Sequence, residues 1–145
     1  MDITKKRLPD ANDELTGPFW SGTRIGELRV QSCSCCGYLR WPPTPLCPEC
    51  LSDRYEWVPI TREGRLISFC VYHRPLDPAF AAEVPYAVGY VQTLEGPRMY
   101  GQIDGPVDAL TVEGHVRAAF EAITPELTLV KWRPMTGSDV VGDSR

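Results

Sequence analysis

The residues of this chain best suited to chemistry lie in one run, CSCCGYLRWPPTPLCPEC, from Cys33 to Cys50. Two C-x2-C pairs, Cys33/Cys36 and Cys47/Cys50, are separated by ten residues. The x2 spacing lets two sulfurs at a tight turn face one centre, and two such turns supply four thiolates to a tetrahedral Zn2+. Gly37 follows the first pair, where a knuckle needs positive φ. Pro48 presets the turn inside the second. A connector of this length suits a short hairpin and is too short for a helix. The pattern predicts a zinc ribbon. Four thiolates close the metal's shell and leave no position for water or substrate, so the expected zinc is structural.

Other reactive side chains are scattered. Cys35 and Cys70 fall outside the tetrad, because only Cys33/Cys36 keeps the x2 spacing in the first pair. Cys70, in the apolar run SFCVY, reads as a small buried hydrophobe. His73 with nearby Asp77 could form a base pair of the His/Asp kind, although a loop histidine is usually just solvated. His115 opens a strand and reads as structural. Tyr72 and Tyr86 could each offer a phenol, but strand aromatics usually belong to a core. The chain shows no H-E-x-x-H, no G-x-S-x-G, no Walker loop and no dinucleotide fingerprint. No catalytic residue is assigned.

The 145 residues suit one domain or two small modules, and 43% hydrophobic content is enough for a core. The N-terminus, MDITKKRLPDANDEL, lacks the apolar stretch of a secretory signal. No run approaches the roughly 18 to 20 apolar residues of a membrane span. A cytoplasmic location is expected, where clustered cysteines mean metal or redox chemistry more often than disulfides. The net charge of −4 argues against a general polyanion binder.

These residues need elements to hold them. Residues 1–29 read as a loose arm and a short helix, with Thr16 as cap, Pro18 just inside, and Phe19, Trp20 and Ile25 near one face. The ribbon spans 30–58: a short strand enters the first knuckle, Tyr38–Trp41 leaves it, and Pro42, Pro43 and Pro45 stop that strand. An exit strand follows the second knuckle, with Tyr55 and Trp57 on one side. From residue 59 to 134 the texture becomes short β runs between Gly/Pro turns: 65–72, 86–93, 98–103, 115–121 and 127–132. Five such strands suit a small closed barrel of the OB type, with an SH3-like barrel as the rival. Gly89, inside a strand, suggests a bulge or bend. Residues 135–145 read as a flexible tail. The fold class is mainly β.

An OB barrel with a zinc ribbon raises nucleic-acid binding, with Tyr72, Tyr90, Tyr100 and Trp132 as a stacking platform. The segment 59–134 carries seven Lys/Arg against nine Asp/Glu, a net of −2. That is the wrong sign for a phosphate backbone, so no nucleic-acid partner is expected. A ligand-free protein–protein adaptor is a further alternative, with Phe19, Trp20, Tyr38 and Trp41 as its face.

Several segments together resemble a known family. They are FWSG at 19–22, Cys33-x2-Cys36-Gly37, Trp41-Pro42-Pro43 before Cys47-Pro48-x-Cys50, Trp57, Pro85-Tyr86-Ala87-Val88, the turn Glu95-Gly96-Pro97-Arg98, and Val112-x-Gly114-x-Val116. The family pairs a rubredoxin-like zinc ribbon with a C-terminal OB-fold barrel, and its members are acyl-CoA-associated. The resemblance covers roughly residues 17–134. It departs after the double proline, where the family often has Arg and this chain has Thr44. What it implies is an accessory subunit of a thiolase-superfamily enzyme acting on acyl-CoA thioesters, stabilising the partner and shaping its substrate channel. His73-Arg74-Pro75 and Pro85-Tyr86 look most like members accompanying thiolase-like aldolases of steroid side-chain breakdown; acyl transfer is the other implied reaction. A hydratase-like protein is a further implied partner. If the chain itself touches CoA, Arg40, Arg74 and Arg98 are the candidates for its phosphates.

Overall fold

The computed structural model describes residues 6–135. One short helix, α1 (Gly17–Arg24), precedes eight strands: β1 (Leu28–Cys33), β2 (Leu39–Arg40), β3 (Tyr55–Ile60), β4 (Glu63–Tyr72), β5 (Tyr86–Thr93), β6 (Arg98–Gln102), β7 (His115–Ala122) and β8 (Thr128–Pro134). They form two antiparallel sheets, in the orders β2-β1-β3 and β6-β5-β4-β7-β8.

The second sheet curls until β6 and β8 meet through a single parallel bridge, Ile103 with Trp132. The Asp104 N–H donates to Trp132 O at 2.8 Å beside it. Five strands in this order, closed by one parallel contact, make the partly open Greek-key barrel of the OB type. Strand β5 alternates strictly, with Ala87, Gly89, Val91 and Thr93 inward and Tyr86, Val88, Tyr90 and Gln92 outward. Gly89 does not bulge. It sits where a Cβ would lie 2.6 Å from Ile103 Cδ1 and 2.7 Å from Leu66 Cδ1, so its bareness lets the core close. The irregularity is on β4, between Leu66 and Ser68. A bulge inverts the side-chain parity beyond it. Phe69 and Val71 therefore pack on the core, and Cys70 faces solvent, which corrects its expected burial.

The ribbon and barrel share one core. Leu28 and Val30 of β1, Ile60 at the end of β3, Phe19 of α1 and barrel residues such as Leu66, Val91, Val116 and Trp132 form a continuous buried cluster. Helix α1 is the wedge between them. Phe19 is 5% exposed, lies 4.4 Å from the Trp41 ring and meets Trp20 edge-on at 4.9 Å. Thr23 Oγ1 donates to Thr128 O at 2.8 Å, tying the helix to β8.

Two expectations for α1 need correction. Thr16 occupies the N-cap position without a side-chain cap bond; its hydroxyl donates to Asp13 Oδ2 instead, and Asp13 also receives the N–H groups of Leu15 and Thr16. Ile25 is 66% exposed. The helix ends there in a Schellman arrangement, with Glu27 N–H on Gly22 O and Gly26 N–H on Thr23 O. That turn swings Ile25 off the apolar stripe. The described part of the arm lies on its own barrel: Lys6 pairs with Glu83 and stands 4.3 Å over the Phe80 ring. The expected tail, apart from Met135, lies outside the described residues.

Candidate functional site

Antiparallel pairing of β1 with β2 and β3 brings the two knuckles together. Leu39 lies opposite Ser32, and Tyr55 lies opposite Cys33. Each knuckle is built the same way. In the first, Gly37 N–H donates to Cys33 O at 2.9 Å and Cys36 N–H to Cys33 Sγ at 3.5 Å. In the second, Leu51 N–H donates to Cys47 O at 2.8 Å and Glu49 N–H to Cys47 Sγ at 3.4 Å. Both close with positive φ just after the second cysteine, +78° at Gly37 and +64° at Leu51. Glycine takes this conformation freely, whereas Leu51 is held there by the second knuckle at some cost.

The four sulfurs lie within 4.8 Å of one another, with Cys33–Cys50 at 3.5 Å and Cys36–Cys47 at 3.7 Å. Zinc–sulfur bonds of ~2.3 Å at tetrahedral angles require sulfurs about 3.8 Å apart, so the donor set fits Zn2+. The N–H of Cys36 and further bonds hold the Cys33 thiol down to about 6. The Ser52 N–H favours the Cys50 thiolate, yet the Cys33 sulfur and burial together push Cys50 up to about 12. Sulfurs this crowded cannot all carry negative charge without a cation between them. A dication removes that conflict and releases protons. Cys35 is exposed and stands outside the cluster.

Beside the first knuckle lies an open groove of about 630 Å3, between the ribbon hairpin (Tyr38, Leu39, Trp41) and the β5–β6 hairpin (Tyr90, Gly96, Pro97, Arg98). Tyr90 and Tyr100 are 4.5 Å apart, and the Arg98 guanidinium lies 5.9 Å from the Tyr90 ring. Arg98 Nε donates to Gln92 Oε1 at 2.6 Å. The Glu95 carboxylate, on the same wall, is turned to the N–H and hydroxyl of Thr61 at 2.7 and 3.0 Å. The groove therefore offers the Arg98 cation, the phenol rings of Tyr38 and Tyr90, and the apolar side chains of Leu39, Trp41 and Pro97. That set suits a planar ring or an anionic group on a flexible ligand.

The structure separates the other candidates. Arg40 is 3% exposed, and its Nε and Nη2 are spent on Gln31 Oε1 and Thr44 O at 2.8 and 3.1 Å. Arg74 and His73 sit on the exposed loop after β4. Asp77 caps a short 3-10 turn by accepting the Ala79 N–H at 2.9 Å. Tyr86 stacks with Tyr72 at 5.1 Å and Phe80 at 5.3 Å; burial, then Tyr72 and nearby carboxylates, raise its phenol further. Trp132 is 1% exposed and cannot belong to a stacking platform. Phe19 is likewise core, while Trp20 and Trp41 are half-buried against it and Tyr38 is exposed. Gln31 is a ribbon residue that composition does not single out. Its only signal is that it stands two before Cys33, on the same strand face.

Residues 20–56 match the family described as ChsH2, rubredoxin-like zinc ribbon domain. Residues 57–121 match ChsH2, C-terminal OB-fold domain. The benzoylsuccinyl-CoA thiolase subunit BbsA of Geobacter metallireducens is 31% identical over 118 residues, which cover 78% of this chain and 76% of BbsA. The chain belongs to the ChsH2 zinc-ribbon and OB-fold (DUF35) family. A chain of the solved Ltp2-ChsH2(DUF35) aldolase superposes with a TM-score of 0.77 at 32% identity, covering 87% of this chain and 98% of that one. The probable enoyl-CoA hydratase alpha subunit of Thermomonospora curvata is 36% identical over 118 residues, 80% of this chain but 36% of its own length. This ChsH2-family chain thus spans about a third of that relative. Among the described residues no helix is long and apolar enough to cross a membrane.

Proposed function

We propose that this chain is an accessory subunit of a thiolase-superfamily enzyme acting on acyl-CoA thioesters, and that it supports carbon–carbon bond cleavage of the retro-aldol kind. The observation carrying this reading is the superposition over 98% of a chain of the Ltp2-ChsH2(DUF35) aldolase. The similarity to a thiolase subunit supports the same partner class. The nucleophiles and bases belong to the partner, and this chain stabilises it and shapes its substrate channel. A hydratase-like protein is a proposed further member of the assembly, supported by the relative named as a hydratase alpha subunit. Co-expression with a thiolase-superfamily protein tests the reading. A stable complex that cleaves an aldol CoA-thioester faster than the partner alone is expected. A chain that stays monomeric, binds no CoA ester and changes no such enzyme's rate overturns it.

Structural Zn2+ held by Cys33, Cys36, Cys47 and Cys50 is part of the same proposal. Zinc crosslinks the two knuckles of a module too small to fold on a core of its own. Metal analysis should return one zinc per chain.

Contact of this chain with CoA is the finer part of the reading. Of the three arginine candidates, Arg98 lines the groove by the first knuckle, beside the Tyr90–Tyr100 pair, whereas Arg40 is buried. Titration calorimetry with CoA checks it: heat from the wild type that Arg98→Ala abolishes is expected. No heat from the lone subunit leaves a site completed by the partner, which the same titration on the complex then measures.

A further inference from the structure

Arg40 is a cation sealed inside the ribbon. Among the described residues no carboxylate forms an ion pair with it. Its contacts are neutral: Gln31 Oε1, Thr44 O and the face of Tyr55, 4.9 Å from its Cζ. The remaining nitrogen, Nη1, has no hydrogen-bond partner, and neither has Nε2 of the fully buried Gln31. Burying a guanidinium without an anion is costly, and a fold that does so needs negative charge nearby.

Strand register shows where that charge lies. Gln31 and Cys33 are two positions apart on β1, so they share a face about 7 Å apart. Arg40 is the register partner of Gln31, and Tyr55 is the register partner of Cys33. Thr44 stands three residues before Cys47 and also donates its N–H to Gln31 Oε1 at 2.9 Å. Every group that grips Arg40 is thus a short step along the backbone from a knuckle. Four thiolates around one Zn2+ carry a formal charge of minus two.

We propose that Arg40 is the counter-charge and positioning residue of the ribbon's metal centre: its buried guanidinium balances the anionic zinc–thiolate cluster and ties both knuckle-bearing segments to Gln31. The proposal rests on the zinc reading above. It explains why this ribbon buries an arginine with no acid beside it, and why that arginine points inward rather than to a phosphate.

The test uses Co2+ as a visible probe of a four-sulfur site, titrated into the full metal-free chain. Uptake of one Co2+ by the wild type with thiolate-to-metal absorption establishes the centre; no uptake sinks the zinc reading itself. Arg40→Gln, which removes charge, and Arg40→Lys, which keeps it, are then compared. Second-sphere changes of this kind weaken metal binding by roughly tenfold or more, so that loss is expected for Gln, with Lys within about threefold of wild type. A Gln variant that fails to take up metal while Lys succeeds also supports the proposal. Equal losses in both variants, no loss in Gln, or failure of both to fold would show that shape and not charge is at stake, and would overturn it.

Discussion

Gly101 faces Trp132 so closely that a Cβ there would lie 2.6 Å from the ring's Cδ1 and 2.9 Å from Nε1. The indole is buried at the barrel's closure and cannot step aside. Gly101→Ala should therefore cost about 1–3 kcal/mol, as overpacked cores do. Gly89→Ala meets contacts as short, but they are the chain ends of Ile103 and Leu66, which can rotate. It should cost less than Gly101→Ala in a urea titration, and the reverse order would mean that the barrel closure is softer than its packing implies. The cysteines divide by the same local reasoning. Cys35→Ser and Cys70→Ser change exposed thiols outside the cluster, so metal content should stay at the wild-type value in both. Loss of metal from Cys35→Ser would reassign the first pair.

Among the elements, α1 and the N-terminal arm each make a polar contact with the barrel that a substitution can test. Thr23→Val keeps the shape of the side chain and removes the donor to buried Thr128 O. Leaving that carbonyl unpaired should cost about 1–3 kcal/mol, read from the unfolding midpoint. The arm's Lys6 meets Glu83, whose carboxyl is held below its ordinary value: burial works against ionisation, and the hydrogen bonds from Lys6 and Gln102 overcome it. A lowered folded-state pKa means the contact stabilises above the ordinary glutamate range and is lost as pH falls through the depressed one. Proteolysis of residues near Lys6 should thus accelerate at acid pH in the wild type, and Glu83→Gln should be cleaved faster already at neutral pH. The elements themselves were legible where the pattern is local. Period-2 alternation marks β5, and the C-x2-C pairs mark both knuckles. What stayed hidden depends on non-local pairing. The β4 bulge that turns Cys70 outward, Asp13 taking the Thr16 hydroxyl, and the single parallel bridge that selects an OB barrel over its rival leave no trace in composition. The inward aim of Arg40 is of the same kind, since it follows from which residue the β1–β2 register sets opposite Gln31.

For the whole molecule, one continuous core joins ribbon, helix and barrel, so the four-cysteine cluster and the groove beside Arg98 are mechanically linked. Trp41 leaves the ribbon hairpin and packs on Phe19 of the wedge helix, and the same hairpin forms one wall of the groove against Arg98. If the four thiolates release their metal, the hairpin loses its anchor at both ends and the groove loses that wall. The barrel keeps its own five-strand ladder and should remain folded. Cys47→Ser should accordingly give a chain with less than one zinc, a largely preserved β-sheet circular-dichroism signal, and weaker association with a thiolase-superfamily partner. The proton balance adds a check on the wild type. Metal binding displaces thiol protons, so zinc retention against a chelator should fall as pH is lowered, and partner affinity should fall with it. If catalysis by the complex stopped in Cys47→Ser while zinc and the complex both survived, the cluster would have a chemical part in the reaction, and its assignment as a structural clamp would be wrong.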